Sequence, residues 1–211
     1  MSILDIFRLD DRVAIIPGGS GGIGSELGRG LADAGAKVAI VGRTEETAAQ
    51  AAKKVEAAGS EALVAVGDMT SEDDARRVVQ ETIDRFGRLD IVINAIGGGA
   101  GKVLHDAQEY PRDDWDWIFE LNIRSTLLPT QFAVRSMIES GNPGRILNSS
   151  SVRGQLGIDA GYSAYVASKG AIDALTRQWA TEWAKHGITA NAIAPTFVDT
   201  PQVAMLLDDP E

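Results

Sequence analysis

Seven residues, Gly18-Gly-Ser-Gly-Gly-Ile-Gly24, stand between the apolar run Val13-Ala-Ile-Ile16 and an Ala/Leu/Gly-rich amphipathic segment reaching about Ala34. A buried strand, a glycine-dense turn and a helix, in that order, predict the first unit of a doubly wound sheet. Glycine permits a tight turn and close backbone approach, and the first N–H groups of the next helix point at whatever sits there. A pyrophosphate suits such a place. The stretch reads as Gly19-x-Gly21-x-x-Gly24 or as Gly18-x-x-x-Gly22-x-Gly24, with Ser20 and Ile23 inside it, and either register carries the same chemistry.

The alternation then continues. Strands are predicted at Val38–Val41, Ala62–Val66, Ile91–Ile93, Gly144–Asn148 and Thr189–Ile193. Helices are predicted from Glu45 to Ala58, from the N-cap Ser71 to Phe86, and at about Trp115–Ile123 and Thr126–Ser140. A long last helix runs from Ser163 to Lys185. No composition break or fixed repeat divides the chain, so residues 1–211 are expected to form one α/β domain. The fold class is a doubly wound parallel sheet between two helix layers, with ligands beyond the carboxyl ends of its strands.

Several residues follow strands directly. An acid about 20 residues beyond the glycines holds the adenosine ribose of NAD in such folds. Here Gly42-Arg43 occupies that place, leaving room and positive charge for a 2′-phosphate, so NADP is expected and NAD is the alternative. Asp68, beside Met69, would meet the adenine edge; Asn94 and Gly97 would flank the adenosine ribose.

Composition removes other classes. The net charge of −10 argues against a nucleic-acid groove, and the absence of cysteine excludes thiolate catalysis and disulfides. His105 and His186 form no metal-ligand pattern and read as surface or loop residues, so no metal is expected. Asp5, Arg8, Asp10 and Asp11 interrupt any signal-peptide core, and no apolar run has membrane-spanning length. The expected location is cytoplasmic.

Tyr165 and Lys169 are four residues apart, hence adjacent on one helix face. An ammonium beside a phenol favours the phenolate and suits the pair to acid/base work. Tyr162 lacks a lysine at that spacing, since position 166 is valine.

With these residues in place, the chain resembles the short-chain dehydrogenase/reductase family through nearly its whole length. The resemblance lies in Pro17-Gly-Gly-Ser-Gly-Gly-Ile-Gly24, Asn94-Ala-Ile-Gly97, Asn122, Asn148-Ser-Ser-Ser-Val-Arg-Gly154, Tyr165 to Lys169, and Asn191-Ala-Ile-Ala-Pro195-Thr196. It implies a Rossmann-type fold and hydride transfer between a nicotinamide and a carbonyl or secondary alcohol. Tyr165 would be the proton donor, and Lys169 would hold the nicotinamide ribose and lower the Tyr165 pKa. Asn122 would position a relay water, and Ser151 would bind the substrate oxygen. Ser150 is the alternative to Ser151, with Ser149 structural. Pro195, Val198 and Thr200 would border the nicotinamide carboxamide, and a homodimer or homotetramer is implied.

The chain departs from the family pattern at Pro17, Ala95 and Thr196, which replace threonine, asparagine and glycine. Family members are also longer, so the resemblance implies a missing lid helix and seventh strand, with Leu206–Glu211 as the opening of that lid. For substrate, the glycine-rich loop and N-terminal style resemble sugar-acid or polyol members such as gluconate 5-dehydrogenases. A 3-oxoacyl-carrier-protein reductase is the alternative; it would need a basic patch, for which Arg112, Arg124 and Arg153 are candidates, though each reads more simply as surface charge. A non-catalytic nucleotide-binding regulator is the reading from another class. Trp115 and Trp117 are expected to pack at the start of a helix.

Overall fold

The computed structural model describes residues 3–99 and 103–200. Six strands form one parallel sheet: β1 (Val13–Pro17), β2 (Lys37–Gly42), β3 (Ala62–Val66), β4 (Ile91–Asn94), β5 (Arg145–Ser149) and β6 (Thr189–Ile193), in the order β3-β2-β1-β4-β5-β6. Six α-helices connect them: α1 (Gly22–Asp33), α2 (Glu45–Ala57), α3 (Glu72–Phe86), α4 (Arg112–Phe119), α5 (Ser125–Ser140) and α6 (Ser163–Trp183). The strand order reverses between β1 and β4, which opens a crevice at their carboxyl ends.

Strand pleating divides the core. Ala14, Ile16, Val38 and Ile40 pack beneath α1 and α2 with Ala32, Ala48, Ala52 and Val55. Val13, Ile15, Ala39 and Val41 face α3, α5 and α6 through Val78, Val79, Val134, Met137 and Trp179. Burial of one such isoleucine or valine is worth ~1.5–3 kcal/mol. The outer strand β6 pairs with β5 alone among the described residues, from Arg145↔Thr189 to Ser149↔Ile193.

Proline is rare in a central strand because it cannot donate to the ladder. Pro17 ends β1, and the described β1–β4 register is confined to Ala14↔Ile91 and Ile15↔Val92. Its carbonyl still accepts from the Ala95 N–H at 2.8 Å, holding the glycine turn against the exit of β4.

Two element boundaries differ from those expected. The predicted break between Ile123 and Thr126 is instead a wide π-helical turn, Glu120–Arg124, joining α4 to α5 without interruption. Hydroxyls bond back into it: Ser125 donates to the Leu121 carbonyl and Thr126 to that of Asn122, with Thr130 donating to the Thr126 carbonyl one turn into α5. At the other end, α6 stops at Trp183 and Ala184–His186 forms a tighter 3₁₀ turn before the left-handed Gly187. No helix among the described residues is long and apolar enough to cross a membrane. The expected lid opening at Leu206–Glu211 lies outside the described residues.

Candidate active site

A cavity of about 980 Å³ runs along the carboxyl ends of the strands. Its β1 end is a backbone cradle. Gly18 has φ +80°, and a Cβ there would lie 2.7 Å from the Ala95 carbonyl carbon and the Ile96 nitrogen. A Cβ at Gly24 would lie 2.2 Å from the Gly18 oxygen, so α1 can begin here only with glycine. Gly18, Ser20, Gly21, Gly22, Ile23 and Gly24 all line the cavity, and Gly22 to Gly24 form the first turn of α1, where N–H groups have no helical acceptor. Gly19 differs from expectation. Its N–H bonds the Ile16 carbonyl at 2.8 Å, and its Cα faces Ile40, so it shapes the turn from behind.

Farther along this end lie Arg43, exposed after β2, and Asp68 after β3. The Asp68 carboxylate accepts from the Thr70 N–H and hydroxyl, both at 2.9 Å. Met69 contributes to the cavity wall from a side chain anchored in the core.

The other end gathers residues from β4, β5, α6 and the segment after β6. Lys169 is buried; its Nζ donates to the Ser149 carbonyl at 2.8 Å and lies 5.8 Å from the centre of the Tyr165 ring. Burial lowers the Lys169 pKa to about 8, against the opposing pull of Asp173 one helical turn on. Tyr165 behaves differently from expectation. Burial raises its pKa, and the nearby Ser151 hydroxyl and the charge of Arg153 only partly oppose the rise.

The serines separate by hydrogen bonding. Ser151 lines the cavity beside Tyr165, and its Oγ accepts from the Arg153 N–H at 3.2 Å; Ser150 donates to the Lys169 carbonyl at 3.3 Å. Ser150 thus braces α6, and Ser151 faces the phenol. Pro195, Val198 and Thr200 line the same end, held there by the Val152 N–H on the Pro195 carbonyl at 3.1 Å.

Residues 12–211 match the family model described as short chain dehydrogenase. The chain belongs to this family. The gluconate 5-dehydrogenase of Gluconobacter oxydans is 36% identical over 211 residues, which is 100% of this chain and 80% of the relative. The A-factor type gamma-butyrolactone 1'-reductase (1S-forming) of Streptomyces virginiae is 39% identical over 198 residues, 93% of this chain and 75% of the relative. The crystal structure of a gluconate 5-dehydrogenase from Burkholderia cenocepacia J2315, in complex with NADP and tartrate, superposes with a TM-score of 0.88 at 36% identity, covering 99% of this chain and 80% of that one.

For a short-chain dehydrogenase, two more of the expected site residues, besides Gly19, are set back from the cavity. Asn94 is 1% exposed, and its Nδ2 donates to Thr130 and to Asn148, each at 2.8 Å. Its side chain ties β4 to α5 and β5. Asn122, in the π-helical turn, clasps Gly98: Oδ1 accepts from its N–H at 3.0 Å and Nδ2 donates to its carbonyl at 3.1 Å. Gly97, just before, is a cavity residue, and a Cβ on it would lie 2.9 Å from Lys169 Nζ. Asn122 thus places the backbone that lies over the lysine.

Trp117, expected to pack at the start of a helix, is instead 43% exposed and lines the cavity, as do Glu120, Ile158, Phe197 and Tyr162, the last edge-on to Tyr165 at 6.2 Å. Trp115 does pack as expected, against Phe119 at 5.1 Å. His105 sits in a loop and is hydrogen-bonded, Nε2 to Asp114 Oδ2 at 2.6 Å. Among the described residues no three metal-ligating side chains gather.

Proposed function

We propose that this chain is an NADP(H)-linked dehydrogenase that interconverts a ketone and a secondary alcohol on a sugar acid or closely related hydroxy acid. The observation that carries the reading is the gathering of Ser151, Tyr165 and the buried Lys169, whose Nζ lies 5.8 Å from the centre of the Tyr165 ring, at one end of a dinucleotide-sized cleft. The residues fit the cofactor: glycine backbone and the first turn of α1 would cradle the pyrophosphate, Arg43 the 2′-phosphate, and Lys169 the nicotinamide ribose.

Bound nicotinamide supplies or accepts the hydride. Tyr165, neutral at pH 7 because burial raises its pKa, donates its proton to the carbonyl oxygen during reduction. Ser151 orients that oxygen beside the phenol. Lys169 holds positive charge near the phenolate as it forms, and Asn122 fixes the loop that shields both. In the oxidative direction the phenolate takes the alcohol proton, so oxidation gains with rising pH.

The sugar-acid choice is supported by the gluconate 5-dehydrogenase relatives. A carrier-protein substrate would need a basic lip; Arg124 is paired with Glu120 at 3.3 Å, and Asp113, Asp114 and Asp116 crowd α4 beside it. Tyr165→Phe should retain NADPH binding, read by fluorescence titration, while turnover of a 5-keto sugar acid falls roughly 10²–10⁴-fold. Undiminished turnover in that variant would overturn the assignment of Tyr165.

A further inference from the structure

The charged residues lining the cleft are Arg43, Asp68, Glu120, Arg153 and Lys169. Arg43 and Asp68 belong to the β2–β3 end, Glu120 is paired with Arg124, and Lys169 donates to the Ser149 carbonyl. Arg153 is different. It makes no ion pair among the described residues, and its one described side-chain hydrogen bond runs from Nη1 to the Gly157 carbonyl at 3.1 Å. A guanidinium carries five N–H donors in a planar fork, so most of Arg153 is left for a ligand.

Its position is fixed from both sides. The backbone N–H of Arg153 bonds Ser151 Oγ at 3.2 Å, and the next residue, Gly154, is pressed on α6, where a Cβ would lie 2.7 Å from Asp173 Oδ2. The side chain is half-buried and shares the cavity wall with Ile158, Tyr162 and Phe197. Its charge is felt at the Tyr165 hydroxyl. A cation anchored by its backbone, flanked by apolar surface and left without a carboxylate of its own calls for an anionic partner.

We propose that Arg153 is the specificity-determining residue that binds the carboxylate of the substrate, holding the reacting carbon between Ser151 and Tyr165. This rests on the hydroxy-acid reading above and goes further in naming the residue that selects for the acid. Because Arg153 also acts on Tyr165 electrostatically, the two effects must be separated: carboxylate binding resides in ligand affinity and KM, whereas the influence on the phenol resides in the pH dependence of kcat.

The test uses a pair of four-carbon probes on the full chain loaded with NADP: tartrate, and threitol, in which hydroxymethyl groups replace both carboxylates. Calorimetric titration of the wild-type chain is expected to show tartrate binding at least 10-fold tighter than threitol. Arg153→Gln should remove most of that preference, Arg153→Lys should restore part of it, and NADP affinity should stay unchanged in both. In turnover, Arg153→Gln should raise KM for a keto acid by about 10–100-fold, as loss of one charge-assisted contact implies, while KM for the corresponding amide hardly moves. Equal binding of tartrate and threitol by the wild-type chain, or equal losses for both in Arg153→Gln, overturns the assignment. Failure to turn over any sugar acid, with tartrate binding still dependent on Arg153, would instead sink the substrate reading and leave the carboxylate site standing.

Discussion

Lys169 and Tyr165 lie side by side, yet burial moves their pKa values in opposite directions, because in each it disfavours the charged form. The lysine falls from its ordinary 10.5 to about 8; the phenol rises above 10. At neutral pH this leaves an ammonium next to a neutral phenol, the state needed to protonate a carbonyl. It also has a cost in stability. Unfolded Lys169 keeps its ordinary pKa, so between about pH 8 and 10.5 the unfolded chain binds more protons and stability rises with pH. Tyr165 works the other way: above pH 10 the unfolded phenol ionises first, and stability falls as pH climbs towards the raised folded value. Lys169→Met removes the first effect. The stability deficit of the wild-type chain relative to this variant should shrink by about 2 kcal/mol between pH 7 and pH 9.5, measured by urea unfolding at each pH. A deficit independent of pH would mean that the ammonium is solvated rather than buried.

Between elements, a strip of buried polar side chains does what apolar contacts cannot. Asn94 on β4 donates to Thr130 on α5 and to Asn148 Oδ1 on β5, and Asn148 donates in turn to Thr176 on α6 at 2.8 Å. The strip thereby pins both catalytic-side helices to the two strands that deliver Gly97 and Ser151. Asn148→Ala would leave one N–H of the buried Asn94 amide unpaired, at ~1–3 kcal/mol, while its other N–H keeps Thr130 and the Thr176 hydroxyl keeps the Ile172 carbonyl. A drop in the urea midpoint of the ligand-free chain, with Asn148→Asp recovering less than Asn148→Ser, is the expected result; an unchanged midpoint would remove the strip from the account. This strip also shows where sequence reading stops. The strands announced themselves as apolar runs, and Ser71 and Gly87 marked the ends of α3. The destination of the Asn94 side chain depends on partners 36 and 54 residues away, which no local spacing reveals. The join of α4 to α5 was hidden likewise: serine and threonine usually suggest a break, and here the Ser125 and Thr126 hydroxyls bond back to carbonyls within the turn. Tyr165 and Lys169 were legible because one helix turn is enough to bring them together.

Across the whole molecule, the reversal of strand order sets nucleotide selection and chemistry at opposite ends of one cleft. The β3–β2–β1 half presents Arg43, Asp68 and the glycine cradle; the β4–β5–β6 half presents Ser151, Tyr165, Lys169 and Arg153. The two functions should therefore be separable by mutation. Arg43 is exposed and is anchored by no ion pair among the described residues, so its replacement should leave the fold intact. Arg43→Glu removes the cation proposed for the 2′-phosphate and supplies a carboxylate that a ribose 2′-hydroxyl can engage. One charge-assisted hydrogen bond is worth ~1.5–3 kcal/mol, so NADPH affinity should fall by about 10–100-fold, with repulsion adding to the loss, while NADH affinity holds or improves. Substrate KM measured with saturating cofactor should not change, since Arg153 and Ser151 lie at the other end. Fluorescence titration with NADPH and NADH side by side reads the first effect and steady-state kinetics the second. Equal weakening of both cofactors would show that Arg43 serves the adenosine as a whole and that selection for the phosphate is made elsewhere on the cleft.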